Sequence, residues 1–192
     1  IRPGEENSIT VKVRNEGRNS RWYSGSGIYR HVWLVVLNPV HIDPWSLAIT
    51  TTLADNRTAS LLVSATIRND TEAVRSVKLV TDILSQNGAL VISTDTSFTI
   101  SGSSAQKHER KLTVSCPEMW SVNNPVLYSA KTSVYCNDSL TCTSSTTFGI
   151  RTITYSPHQG LLLNGRSIEL RGGCIHHDNG LLGAAAIDRA EE

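Results

Sequence analysis

The sequence predicts an all-β chain built around one immunoglobulin-like β-sandwich, and three observations carry that expectation. First, apolar and polar residues alternate along several runs: Leu61, Val63, Ala65 and Ile67, then Val77 and Leu79, Leu112 and Val114, and Ala130, Thr132 and Val134. A period of two is what a half-buried strand requires, because successive side chains leave opposite faces of a sheet. Second, turn-forming residues separate the runs, at Asn38-Pro39, Asn69-Asp70, Asn87-Gly88, Ser101-Gly102, Asn123-Asn124-Pro125 and Asn137-Asp138. Strands spaced about 8–12 residues apart with polar turns between them mark a sandwich. Third, no segment before residue 180 keeps a 3.6-residue period long enough for a helix.

Taken in order, the chain opens with alternation at Ile9, Val11 and Val13, a Gly/Ser-rich loop, and a nearly continuous apolar run from His31 to Leu37. Two strands and a loop are too few to close a core. Asn38-Pro39 reads as a joint, and from there to Thr147 lie about 110 residues, close to the roughly 100 of an immunoglobulin-like sandwich. After Gly149 come short β-type runs, an Asn164-Gly165 turn, the Gly172-Gly173 pair, two imidazoles with a carboxylate, and a small-residue, helix-friendly tail from Gly183 to Ala190. A strand ending in polar side chains and leading into a helix is how the first unit of a (β/α) barrel begins. The expected organisation is therefore one whole domain, residues 38–148, between two partial ones, residues 1–37 and 149–192. With no initiator Met and no signal-type leader in view, the expectation is an internal piece of a longer polypeptide.

Composition excludes more than it assigns. Eighteen Lys and Arg against seventeen Asp and Glu leave a formal charge of +1, which is no electrostatic footprint for nucleic acid or an anionic membrane. No apolar run approaches the roughly 20 residues of a membrane span. The four cysteines, Cys116, Cys136, Cys142 and Cys174, form no C-x-x-C pair, so no structural zinc site is expected. Cys136 and Cys142 flank a hairpin turn. A three-residue loop at 138–140 would set them on facing positions, where they could be bridged; two half-buried free thiols are the plainer expectation. Sequons at Asn56, Asn69 and Asn137 carry little weight in a chain this rich in Asn, Ser and Thr.

Three separated segments share one resemblance. Glu6-Asn7 with Ile9-Thr10-Val11, followed by Asn19 to Leu34 (NSRWYSGSGIYRHVWL), resembles the end of the sugar-binding-like jelly roll of glycoside hydrolase family 2. Trp120-Ser121 with Asn124-Pro125-Val126-Leu127-Tyr128 resembles an element of that family's immunoglobulin-like second domain. Phe148-Gly149-Ile150-Arg151, Leu163-Asn164-Gly165 and Arg171 to Asp178 (RGGCIHHD) resemble the start of its TIM-barrel domain. The segments fall in the family's order across nearly the whole chain. On the residues alone, Trp22, Tyr23, Tyr29, Trp120 and Tyr128 are expected to pack in cores and at domain joints, since large aromatics are mostly buried. A sugar-stacking platform is the alternative.

The resemblance implies a retaining glycosidase that uses two glutamates, one as acid/base and one as nucleophile; retaining enzymes hold such carboxyls about 5–5.5 Å apart. It places both late in the barrel, beyond residue 192, so no catalytic residue is expected in this chain. Asn15-Glu16 superficially matches the family's asparagine-glutamate pair, but it sits in a charged turn, and Glu191-Glu192 are terminal. Successive strand residues face opposite ways, so His176 and His177 are not expected to share a metal. The resemblance puts His177 where the family places an imidazole that hydrogen-bonds the sugar, and Asp178 at the adjacent acidic position. Neutral imidazole donates and accepts, which suits a hydroxyl. Some β-galactosidases of the family carry an aspartate in the loop matching Arg21–Arg30; here no Asp or Glu occurs between Gly17 and Ile42, so that contribution is absent or comes from elsewhere and the parent's metal dependence stays open; no metal ligand in this chain and no cofactor are named.

The leading expectation is thus part of a β-galactosidase-like enzyme acting on terminal β-linked sugars. The piece itself is expected to be inactive, with a carbohydrate substrate and the rest of the parent chain as partners. No nucleic acid or membrane partner is expected, and homo-oligomers are left open. A periplasmic or extracellular setting is favoured for the parent. A stand-alone carbohydrate-binding or adhesive sandwich is the alternative.

Overall fold

The computed structural model describes residues 2, 4–16, 27–174, 182, 183, 185 and 187–191. Contacts divide the chain into two units, residues 36–170 and residues 1–35 with 171–192. Among the described residues no helix is long and apolar enough to cross a membrane.

The larger unit is built on β3 (Thr58–Asn69) and β4 (Arg75–Leu84), joined across the two sheets of a sandwich. Along β3 the buried residues are Ala59, Leu61, Val63, Ala65, Ile67 and Asn69, every second position, as the alternation predicts. One edge of β3 carries β1 (Val40–Ile42) and β2 (Ala48–Ala54) in succession; the other carries β6 (Ser104–Ser115) along its whole length. In the second sheet the order is β5 (Leu90–Ile100), β4, β7 (Tyr128–Cys136) and β8 (Ser139–Phe148), all antiparallel. Counting β1 and β2 as one interrupted strand gives seven, the number of a constant-type immunoglobulin sandwich. Here β5 pairs with β4 and not with β6, so the division is three and four.

Inward residues of both sheets form one cluster that includes Leu61, Ile67, Val77, Ile83 and Val134, joined by Ile150 from the segment after β8. The buried Thr81, Thr132 and Asn69 side chains all have partners, as burial demands. Thr81 and Thr132 face each other across β4 and β7 with their hydroxyls 3.0 Å apart. Asn69, fully buried, donates through Nδ2 to the carbonyls of Ala73, Ile100 and Ser101, and its Oδ1 accepts from the Thr71 amide and hydroxyl. That sequon is therefore a structural pin holding two loops together. Beside it the chain passes so close that a Cβ on Gly102 would lie 2.0 Å from the Glu72 carbonyl oxygen.

The hairpin between β7 and β8 corrects one expectation. Its turn holds two residues, Asn137 and Asp138, with φ of 50° and 62°, the left-handed pair that a type I′ turn requires. Cys136 consequently pairs with Ser139, and after a bulge Cys142 pairs with Val134. The two sulfurs are not on facing positions, and both cysteines are free and half-buried.

After the sandwich, β9 (Ile153–Ser156), β10 (Gly160–Leu163) and β11 (Arg166–Ser167) form a small antiparallel meander. Asn164 and Gly165, both at positive φ, make its second turn. In the other unit, α1 (Asp188–Glu191) is a single turn, well short of the helical tail expected from Gly183. The alternating residues Ile9, Val11 and Val13 are exposed, and residues 4–16 carry no strand. The apolar run after His31 is likewise unpaired, with Trp33 and Leu34 each about three-quarters exposed.

Candidate functional site

Two of the motifs singled out in the sequence, Trp120 to Tyr128 and Phe148 to Gly165, meet at one end of the sandwich. The loop 121–126 is closed by backbone bonds: the Ser121 amide donates to the Asn124 carbonyl at 2.9 Å, and Asn124 returns the bond at 3.2 Å. Behind it, Tyr128 is buried, stacks on Phe148 with ring centres 5.9 Å apart, and accepts from the Glu118 amide through its hydroxyl at 2.9 Å. A buried tyrosine needs such a partner for its polar end. Trp120 is thereby fixed, and its amide donates to the Ile150 carbonyl at 2.9 Å.

Asn164 completes the joint from the meander. Its Oδ1 accepts from the Thr152 amide at 3.0 Å, its Nδ2 donates to the Trp120 carbonyl at 2.9 Å, and its own amide donates to the Thr152 carbonyl at 2.9 Å. One side chain thus ties β10 both to the segment leaving the sandwich and to the Trp120 loop. Gly149 lets the indole lie against the backbone, because a Cβ there would come 2.8 Å from the Trp120 Cβ and Cγ. The Arg151 guanidinium sits over the indole, 4.6 Å from the ring centre, a cation–π contact. Trp120, half-buried, and Tyr128, buried, therefore pack at the joint, and Arg151 covers one face of the indole.

An open groove of about 810 Å³ borders this joint, lined by the β2–β3 turn, Met119, residues 121–124, Thr152 and the turn after β10. Asp55 stands at its rim; the amides of Arg57 and Thr58 each donate to Oδ1 at 2.7 Å. The Thr58 amide first, then that of Arg57, holds the carboxyl below its ordinary range. Among the described residues no aromatic ring lines the groove, so those residues offer no apolar platform on which a sugar could stack.

The other site predictions fall elsewhere. His176, His177 and Asp178 lie outside the described residues, as do Trp22 and Tyr23. Arg171 to Cys174, just before them, are described, exposed and carry no strand. Glu16 is exposed and faces Arg14 at 4.0 Å, while the rest of the expected turn, Gly17 and Arg18, lies outside the described residues. Trp45 escaped the sequence reading. It is 92% exposed at φ 59° in the turn between β1 and β2, where the Ser46 amide donates to the Asp43 carbonyl at 3.1 Å. Pro44 marks a turn there, but no pattern in the sequence assigns the left-handed position to a tryptophan.

The fold and the joint define a class: a β-sandwich with a short β-meander tied to one end of it. Residues 40–151 match the family model for glycosyl hydrolases family 2, and the chain belongs to that family. It is 36% identical over 189 residues to a β-galactosidase of Bacteroides ovatus, covering 98% of this chain and 22% of that protein. A protein of Formosa agariphila described as a putative β-glucuronidase is 32% identical over 181 residues, covering 94% and 17%. A crystal structure of a glycosyl hydrolase family 2 member from Bacteroides cellulosilyticus superposes with a TM-score of 0.82 at 40% identity, over 92% of this chain and 24% of that one. The chain thus spans about a quarter or less of the relatives it matches.

Proposed function

We propose that this chain is the sandwich-centred portion of a β-galactosidase-like glycoside hydrolase, and that its own role is to position, without catalysing. Residues 1–37 are read as the last strands of a jelly-roll domain, 38–148 as an immunoglobulin-like domain, and 149–192 as the start of a TIM barrel. The observation that supports the reading is the Trp120–Asn164 joint, which ties the β9–β11 meander to the sandwich; the Arg171 to Asp178 motif follows it in the sequence. The parent would hydrolyse terminal β-linked sugars with retention, using two glutamates outside these residues. Galactose is favoured over glucuronate, in keeping with the higher identity to the Bacteroides ovatus protein. Within the parent, His177 would hydrogen-bond a sugar hydroxyl, with Asp178 beside it.

Two assays test this. The 192-residue chain should give no turnover of a chromogenic β-galactoside or β-glucuronide, and measurable turnover by pure chain overturns the positioning role. In the parent enzyme, His177→Ala should raise KM and lower kcat for the β-galactoside. Unchanged kinetics would remove His177 from the sugar site.

A further inference from the structure

On the side of the sandwich where β5 and β6 face each other as unpaired edges of opposite sheets, a cavity of about 80 Å³ opens between them. Its apolar floor is made by Val63 and Ala65 of β3 and Leu79 of β4. On one lip stand Thr94 and Thr96 of β5, on the inward-facing row of that strand; on the other stand His108 and Arg110, on the inward row of β6. His108 closes one end by stacking on Phe98, ring centres 3.6 Å apart.

The polar groups stand at a half-open lip, where Thr94, Thr96 and His108 are half-buried and Arg110 is exposed. His108 Nε2 is buried with no hydrogen-bond partner, and an orphaned buried polar atom of this kind calls for an explanation. Among the described residues Arg110 has no carboxylate partner, and the hydroxyls of Thr94 and Thr96 accept and donate no bond. Thr81, deeper in the cleft, is already satisfied by Thr132. Two carboxylates border the mouth, but each belongs to a strand's outer row and is held by a lysine: Asp95 by Lys78 at 3.4 Å, Glu109 by Lys107 at 2.7 Å. The inward row is left with a guanidinium, an imidazole, two hydroxyls and no acid.

We propose that this cleft is a binding site for a small carboxylate with a short apolar or hydroxylated body, gripped by Arg110 and hydrogen-bonded by His108 Nε2 and the Thr94 and Thr96 hydroxyls. The planar guanidinium matches a carboxylate with two parallel N–H bonds. The floor takes the ligand's carbon body, in the manner of a pocket that is mostly apolar with a few convergent polar groups. Burial lowers the His108 pKa; a bound anion reverses that bias, because it favours the imidazolium. Binding and protonation of His108 are therefore coupled, and affinity rises as the pH falls through the imidazole range.

The test is an NMR titration of the His108 ring in the 192-residue chain with sodium acetate and with lactate, at constant ionic strength set by sodium chloride. The expected result is a saturable shift with a Kd of about 1–10 mM, accompanied by an upward move of the His108 titration midpoint. Arg110→Ala should weaken binding by about tenfold or more. Lys111→Ala, on the outer row of the same strand, should leave it unchanged. The site is overturned if no saturable shift appears, if chloride alone produces the same shift, or if Arg110→Ala binds as the unaltered chain does. Binding of inorganic phosphate without binding of either carboxylate would overturn the ligand assignment.

Discussion

Two apolar runs of this chain look alike as sequence and end up differently. Leu61 to Ile67 in β3 alternates into the core, with Leu61 and Ile67 fully buried. Val32 to Val35 is as apolar, yet each of its residues is more than half exposed and the segment forms no strand. The difference is not propensity, since both runs are rich in β-branched and large apolar side chains. Strand β3 has a hydrogen-bonding neighbour on each edge and a second sheet opposite its inner face. A strand is a pairing, and side-chain pattern only says which face it would bury once paired.

That contrast can be broken by substitution. Leu61→Ala should destabilise the chain by about 3 kcal/mol, the transfer loss plus the cavity left in a core that relaxes only in part. Leu34→Ala, the same chemical change in the exposed run, should stay within about 0.5 kcal/mol. Chemical denaturation of both variants measures the pair, and equal effects would erase the distinction. Next in size is Asn69→Ala, expected to cost about 2 kcal/mol because it leaves buried carbonyl groups without a donor. An Asn164→Ala change should act more locally. It removes the tie from β10 to the Trp120 carbonyl, so hydrogen exchange should accelerate in residues 153–167 while the β3 amides keep their protection; uniform acceleration would mean that the joint and the core open together.

Two smaller effects sharpen the picture. His108 is held below its ordinary value of 6.5 by burial, so as the pH falls the unfolded chain takes up this proton first. Stability should thus be level in pH above about 6.5 and decline below it as far as this residue is concerned. His108→Gln should flatten that part of the denaturation profile, and an unaltered profile would show that the imidazole is not desolvated. Trp45→Gly should raise stability by up to about 1 kcal/mol, since a non-glycine residue in the left-handed region carries a steric penalty. At 92% exposure Trp45 gives up almost no packing when removed. A loss of stability would reveal a contact that the indole makes.

How much was legible in the sequence follows the same division. The central strands β3, β4 and β7 are visible because both their faces and both their edges are decided, which leaves clean alternation at Leu61 to Ile67 and Ala130 to Val134. The edge strands β2, β5 and β8 are much fainter. Thr50 to Thr52 and Ser144 to Thr147 put hydroxyls on both faces, where an edge is only half buried and Ser and Thr meet its requirements as well as Val does. The hairpin at Asn137 was recognised but its loop length was not, because Asp138 stands where glycine usually signals a two-residue turn. At the joint, Trp120, Gly149 and Asn164 were visible as motif residues. Their convergence was not, since 44 residues of chain separate the Trp120 carbonyl from the Asn164 amide that it meets. The cleft at His108 left no motif at all, because its groups are assembled from strands β3 to β6 by the open side of the sandwich.

Native-state hydrogen exchange on the 192-residue chain tests the central contrast most directly. Amides of β3, β4 and β7 should share the highest protection and exchange only through global unfolding, while those of residues 28–35 should exchange at close to unprotected rates. Protection in residues 28–35 equal to that of β3 would contradict the account, because it would place the exposed run inside the same cooperative core.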